Sequence, residues 1–164
     1  ARDLRCPPTT SLGRWFDAAA GILGLRAEMR YEGQAAMELE GLAVRYGPLP
    51  ALAGGWRIRH GVLDFSPLVP ALFDCGDAAY GAALFHATLA AGLAEWVLVA
   101  VDGKKGAKIA VGGGCAMNAV LMSALRAHFE SAGLVLLEAR QAPPSPGRAP
   151  GRRRWVARRM FKEM

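Results

Sequence analysis

The sequence lacks an uninterrupted apolar run of the roughly 18 residues that a membrane-spanning helix requires. The stretch that comes nearest, residues 78–101, is interrupted by Gly81, His86, Gly92 and Glu95. The opening residues contain no apolar region of the signal-peptide type. We therefore expect neither a membrane span nor a membrane partner.

Cysteine is scarce, and the three that occur (Cys6, Cys75 and Cys115) are odd in number and far apart. The sequence contains no CxxC pair and no Cys/His cluster with the spacing of zinc ligands. These absences argue against a disulfide-stabilised secreted domain and against a metal site. We expect a reduced, cytoplasmic protein.

Acidic residues are nearly absent from the end of the chain. Residues 139–164 contain eight Lys/Arg and one Asp/Glu, whereas the first 138 residues contain twelve and thirteen. The net charge of +6 therefore resides in the tail, and it is no evidence that the globular part binds nucleic acid. A basic tail with Trp155 and Phe161 offers a nucleic-acid surface, but we favour a solvated tail without such a partner.

What is present is ample material for one hydrophobic core, because apolar residues make up 52% of the 164 residues. From Gln141 onward, repeated proline and glycine disfavour regular structure. We therefore divide the chain into a globular part, residues 1–141, and a Pro/Gly/Arg-rich tail, residues 142–164, that is disordered or partly helical.

Hydrophobic periodicity predicts four helices and a hairpin before residue 102. The helices span residues 11–24, 34–46, 67–74 and 78–101, and the hairpin pairs 56–59 with 62–65 across a His60-Gly61 turn. Asp77 is the expected N-cap of the longest helix. On the second helix, the pattern places Glu38, Glu40 and Arg45 in solvent.

The most informative local pattern is a βαβ unit. Residues 108–111 predict a buried strand, Gly112-Gly113-Gly114 a tight turn, residues 116–132 a helix and residues 134–137 a second, parallel strand. Glycines after a strand let a ligand approach the backbone, and the N–H groups of the following helix suit a phosphate or nucleotide. The alternative is that the glycines only permit tight packing. Asn118, in the first turn, binds a ligand or caps its own helix.

Other polar residues are ambiguous from the residues alone. Asp17 and Glu32 form a pair of carboxylates that can grip the two hydroxyls of a ribose, but a solvated helix face and a helix-start carboxylate are the favoured alternatives. His86, beside an apolar stripe, is more typical of a core histidine than of a catalyst. Cys115 precedes a helix, but no base can be assigned to it, and no catalytic residue is predicted.

Four segments together resemble the C-terminal part of the HypF-type carbamoyltransferases, which mature [NiFe]-hydrogenases. They are Thr10–Ala18 (TSLGRWFDA), Tyr31–Glu40 (YEGQAAMELE), Phe85–Ala90 (FHATLA) and Gly113–Asn118 (GGCAMN). The resemblance covers about residues 5–144. The second segment is quite specific to the family, whereas the GGxxxN turn is shared with the tRNA threonylcarbamoyladenosine enzymes.

This resemblance implies an α/β fold, namely one helix-rich lobe of the actin/Hsp70/sugar-kinase (ASKHA) type with a small mixed sheet. It implies ATP with Mg²⁺ as cofactor, carbamoyl phosphate as substrate, and transfer of the carbamoyl group to the C-terminal cysteine of a HypE-like partner. By position, Asp17, Glu32 and Gly33 would face ribose and adenine, while Gly113, Gly114 and Asn118 would line the nucleotide.

The chain departs from the family pattern in two respects. It corresponds to most of the second lobe only, so we expect it to be inactive alone, or to act as an interaction or homodimerisation module. The family continues after its Pro-Pro with an Asp-Gly-Gly stretch whose Asp binds metal, but no Asp follows Pro143-Pro144 here. The sequence therefore assigns no metal ligand.

Overall fold

The computed structural model describes residues 9–25, 28, 30–102 and 104–138. The predicted tail, residues 142–164, lies outside them. The described part contains five helices and four strands, in the order α1 (Leu12–Ile22), α2 (Gln34–Tyr46), β1 (Arg57–Arg59), β2 (Val62–Asp64), α3 (Leu68–Phe73), α4 (Ala78–Ala100), β3 (Lys108–Val111), α5 (Ala119–Ser131) and β4 (Val135–Glu138).

Helix α4 is the centre of the core. Eleven of its residues are buried, and it packs against α1, α2, α3 and α5. Phe16 of α1 meets Phe85 of α4 edge to face, with ring centroids 5.0 Å apart. The side chain of Asp77 accepts hydrogen bonds from the amides of Ala79 and Tyr80, which confirms the predicted N-cap.

By length and apolar composition, α4 would also suffice to cross a bilayer, although the sequence analysis predicts no membrane span here. In the described structure, 56% of its most apolar 18-residue window is buried. That burial is typical of a core helix.

The predicted hairpin is present and lies against α4. Strands β1 and β2 pair antiparallel, and both turn residues have positive φ (His60 +50°, Gly61 +74°), as a two-residue type I′ turn requires. The indole Nε1 of Trp56 donates to Glu95 Oε2 at 2.9 Å, and that of Trp96 donates to the carbonyl oxygen of Gly61 at 2.7 Å. Two tryptophans thus fasten the hairpin to the second half of α4.

The expected small mixed sheet is instead two separate sheets in the described residues. Strands β3 and β4 pair in parallel, from Lys108 opposite Val135 to Val111 opposite Glu138, as the βαβ pattern predicts. The prediction that β3 is buried is wrong, because its residues alternate between exposed and partly buried. The three-residue hairpin strands pair only with each other. The helix-rich α/β class is confirmed, and the single mixed sheet is wrong.

Candidate functional site

The glycine turn, defined as Gly112, Gly113 and Gly114, follows β3 and leads into a short 3-10 turn, Gly114–Met117. The sequence pattern starts a helix at residue 116, but α5 begins at Ala119 with Asn118 as its N-cap. Gly113 has φ +98° and ψ 176°, a conformation that L-residues with a side chain rarely adopt. The helix therefore begins three residues later than the pattern predicts, after one 3-10 turn.

The outer side of the glycine turn is open. The three glycines are exposed, and apart from each glycine and its two chain neighbours no described residue has an atom within 4 Å of the position that a Cβ would take. The turn borders a cavity of about 450 Å³ that also contacts Gly13 of α1, Trp96 of α4 and Cys115. A ligand can therefore approach this backbone closely, as the glycine-rich pattern predicts.

Asn118 faces inward and is buried, with 3% of its surface exposed. Its Oδ1 accepts a hydrogen bond from the Leu121 amide at 2.9 Å, and its Nδ2 donates to Nε2 of His86 at 3.1 Å. Of the two sequence-based interpretations, the helix cap is the one present here. Direct contact with a nucleotide stays a prediction, and the burial of the side chain opposes it.

Glu40 is the residue that the sequence pattern missed. The pattern places it in solvent, yet it is partly buried, and its Oε1 accepts a hydrogen bond from the Ala119 amide at 2.7 Å. A carboxylate at the start of a helix is stabilised by the N–H groups and the helix dipole there. Two N–H groups expected to be free for a phosphate, those of Ala119 and Leu121, therefore already have protein acceptors. The only sequence signal was the position of Glu40 at the end of the quoted YEGQAAMELE segment.

His86 is a satisfied core histidine, as its position beside an apolar stripe predicts. It is 1% exposed and lies edge to face with Phe16 and Phe85. Its Nδ1 lies 2.7 Å from the carbonyl oxygen of Ala82, which can only accept, so Nδ1 carries the proton. Burial lowers the pKa of this imidazole, while the hydrogen bond to Ala82 and the negative charge of Glu40 oppose that change.

Stability should therefore fall on acidification below the ordinary histidine pKa of about 6.5. Because the folded-state pKa of His86 is lowered, the unfolded chain takes up the proton first, and the contribution present above this pH is lost as the pH decreases. We expect the urea midpoint of the full chain to be lower at pH 5 than at pH 7, and the difference to shrink in His86→Phe.

The control for this pH dependence is His128→Gln on the exposed surface of α5, which should retain the wild-type difference. The pKa of Asp64 is lowered from 3.8, first by its hydrogen bond from the Ser66 amide, so its contribution is lost at more acidic pH than this window. An unchanged difference in His86→Phe would contradict the assignment to His86.

The predicted ribose carboxylates lie in different surroundings. Asp17 is partly exposed on α1 and pairs with Arg14 at 2.9 Å. Its negative charge, together with the larger effect of burial, raises the pKa of the Cys115 thiol, so Asp17 lies within electrostatic reach of the glycine turn. Glu32 is exposed in the bend before α2, next to Gly33 at φ +83°. Glu40, which contacts the start of α5, lies roughly 10 Å farther along α2 than this bend.

The arrangement favours binding over catalysis within this chain. Cys115 is half-buried with a raised pKa, which disfavours the thiolate that a nucleophile requires. No group of three or more His, Cys, Asp or Glu side chains that could hold a metal ion occurs in the described ranges. The described residues thus form an open backbone turn close to the start of α1, the helix that carries Asp17, with Asn118 and Glu40 fixing α5 behind the turn.

Comparison with known proteins identifies relatives across most of the chain. Residues 1–147 match the family described as carbamoyltransferase, Kae1-like domain, second subdomain. The chain is 41% identical to carbamoyltransferase HypF2 of Cupriavidus necator over an alignment of 184 residues including gaps. This alignment covers 96% of the chain and 23% of the relative. It is 47% identical over 143 residues to carbamoyltransferase HypF of Rhizobium leguminosarum bv. viciae, covering 86% of the chain and 18% of the relative.

A third relative is a HypF homolog of Cupriavidus necator, 42% identical over 147 residues, with 83% of the chain and 37% of the relative covered. The chain thus spans between about a fifth and two fifths of the length of these three relatives.

Proposed function

Because the chain belongs to the carbamoyltransferase family with a Kae1-like domain, as its second subdomain, we propose that it is the nucleotide-binding lobe of a HypF-like carbamoyltransferase. The lobe is of the ASKHA type and binds the adenosine part of ATP at the glycine turn. The observation that supports this proposal is the open backbone at Gly112–Gly114 beside the start of α1, since a ligand meets no side chain at the glycines themselves.

In this proposal each group has a simple task. The glycine turn admits the nucleotide to close range, and the carboxylates of Asp17 and Glu32 accept hydrogen bonds from ribose hydroxyls. Asn118 and Glu40 fix α5 behind the turn. The phosphates extend away from the start of α5, because Glu40 already places a negative charge at the Ala119 amide.

The finer activity is carbamoyl transfer to the C-terminal cysteine of a HypE-like partner, on the way to the cyanide ligands of [NiFe]-hydrogenase. Carbamoyl phosphate and ATP with Mg²⁺ are the proposed substrates and cofactors, and the reaction belongs to the cytoplasm. Holding two substrates in a reactive orientation supplies much of the rate of such a reaction. We therefore propose that the chain needs a second lobe for turnover and by itself binds nucleotide only weakly.

The sharpest test of the site is Gly114→Ala. Its φ is outside the left-handed region and its Cβ would enter open space, so the substitution leaves the fold intact but places a methyl group in the ligand's path. In an NMR titration of the full chain with ATP and Mg²⁺, we expect saturable shifts in wild type and at least about tenfold weaker binding in Gly114→Ala. A methyl group added where two surfaces pack closely costs about 1–3 kcal/mol.

The matched control is Gly76→Ala in the loop before α4, where a Cβ also has open space and φ is likewise outside the left-handed region. This variant should bind ATP as wild type does. Equal saturable binding by wild type and Gly114→Ala would place the nucleotide elsewhere, and no binding by wild type at millimolar ATP would reject the proposed function of the isolated chain.

A second candidate function, an interaction module, is favoured by the outer face of the β3–β4 sheet. Val135 and Leu137 are each 45% exposed there, although parallel sheets are normally covered on both faces. We expect wild type to self-associate, as a homodimer or larger, in size-exclusion chromatography with light scattering, and Leu137→Lys to elute as a monomer. A monomeric wild type at 100 μM-scale loading, on the order of the concentrations at which weak dimers form, would argue against homodimerisation.

A further inference from the structure

The glycine turn is anchored mainly at its two ends. On one side Val111 is the last residue of β3 and pairs with Glu138. On the other side, the Ala116 amide donates to the Gly113 carbonyl at 3.1 Å, and the Asn118 amide donates to the Cys115 carbonyl at 3.2 Å. Because the glycines are exposed while Asn118 is buried, Asn118 is the inner anchor of this segment.

The partner of this anchor is His86, which comes from a different helix 32 residues earlier in the chain. The hydrogen-bonding role of every atom follows from the geometry. The Leu121 amide can only donate, so it selects Oδ1 of Asn118, and Nδ2 must then donate to Nε2 of His86. Nε2 is therefore unprotonated and acts as the acceptor.

We propose that His86 is a positioning residue, whose Nε2 holds Asn118 and thereby keeps the glycine turn in the shape that receives a ligand. This inference rests on the proposed function only for the identity of the ligand, an adenine nucleotide. The role needs an acceptor at this point and not merely an aromatic ring, because a ring without one leaves the buried Nδ2 group of Asn118 unpaired. An unpaired buried donor disfavours the observed conformation.

Burial keeps His86 in this acceptor state, because Phe16 of α1 and Phe85 of its own helix enclose the ring. The Glu40 carboxylate, the charged group that acts on the ring from α2, opposes this by favouring the protonated form. Glu40 also binds the Ala119 amide, so α2 and α4 both grip the start of α5. Protonation of Nε2 would set two N–H groups against each other and release Asn118.

The test compares His86→Gln, whose carboxamide oxygen can accept from Asn118, with His86→Phe, which keeps a ring but has no acceptor. The readouts on the full chain are NMR-detected hydrogen exchange of the Ala116, Asn118 and Leu121 amides, and ATP affinity. In His86→Phe we expect these amides to exchange at least about tenfold faster and ATP to bind at least about tenfold more weakly. In His86→Gln both quantities should stay within about threefold of wild type.

The outcomes separate this inference from the proposed function. If wild type does not bind ATP but the exchange pattern is as expected, the positioning role stands and the nucleotide assignment fails. Unchanged exchange of the three amides in His86→Phe, or exchange that rises equally throughout the chain, would overturn the positioning role. If neither variant folds, the ¹⁵N shifts of His86 in wild type decide the matter, because protonation at Nε2 and not Nδ1 would refute the acceptor assignment.

Discussion

Asn118→Ala is expected to lower the free energy of unfolding by about 2–4 kcal/mol. Loss of an N-cap costs roughly 1 kcal/mol, and loss of a partner for a buried polar group costs about 1–3 kcal/mol more. Both losses apply here, because the side chain caps α5 through Leu121 and also donates to the buried His86. Urea denaturation with linear extrapolation measures the difference.

The matched control is Asp77→Ala, which removes the N-cap of α4. Asp77 is exposed and accepts from the Ala79 and Tyr80 amides, so only the cap is lost, and we expect a cost of about 1 kcal/mol. Equal losses for Asn118→Ala and Asp77→Ala would mean that the bond to His86 contributes nothing.

Gly92→Ala is expected to destabilise the fold by about 1–3 kcal/mol, although alanine favours helix more than glycine does. A Cβ at this position in α4 would lie 2.6 Å from Cε1 of Phe65 and 2.9 Å from Cγ of Trp56. Both neighbours are rings. Phe65 is buried and Trp56 is held by its hydrogen bond to Glu95, so a shift of either ring is costly. Glycine is needed here for close packing.

Gly41→Ala in α2 is the control with the opposite expected sign. Its Cβ would meet only the end of the Arg45 side chain at 3.9 Å, an ordinary contact. The helix propensity gained, up to about 1 kcal/mol, should therefore appear as increased stability. Thermal or urea denaturation of both variants checks the pair, and a stabilising Gly92→Ala would show that the hairpin does not pack as closely against α4 as described.

These stability effects decide which variant can report on nucleotide binding. Asn118→Ala removes two structural hydrogen bonds, so weaker binding by that variant would not distinguish a lost contact from a displaced turn. Gly114→Ala avoids this ambiguity, because it adds a methyl group in open space and removes no hydrogen-bonding group. The glycines, and not the asparagine, are therefore the proper probes of the site.

Much of the local structure was predictable because it depends on near neighbours in the chain. The bounds of α2, the Asp77 cap and the His60-Gly61 turn follow from periodicity, side-chain capping and backbone preference. The parallel pairing of β3 and β4 follows from the handedness of a βαβ connection. The start of α5 was misplaced because a 3-10 turn precedes it, as is frequent at helix N-termini, and the sequence pattern does not separate the two.

The sequence by itself determined the helices, the hairpin, the open glycine turn and, through its quoted segments, the family. Only the tertiary structure decided what Glu40, His86 and Asn118 do. Glu40 contacts the Ala119 amide, 79 residues away along the chain, and His86 contacts Asn118, 32 residues away. A carboxylate on a helix looks solvated until another helix brings an N–H group to it. Likewise, an asparagine at a helix start is equally suited to a ligand or a cap until a buried acceptor fixes its amide.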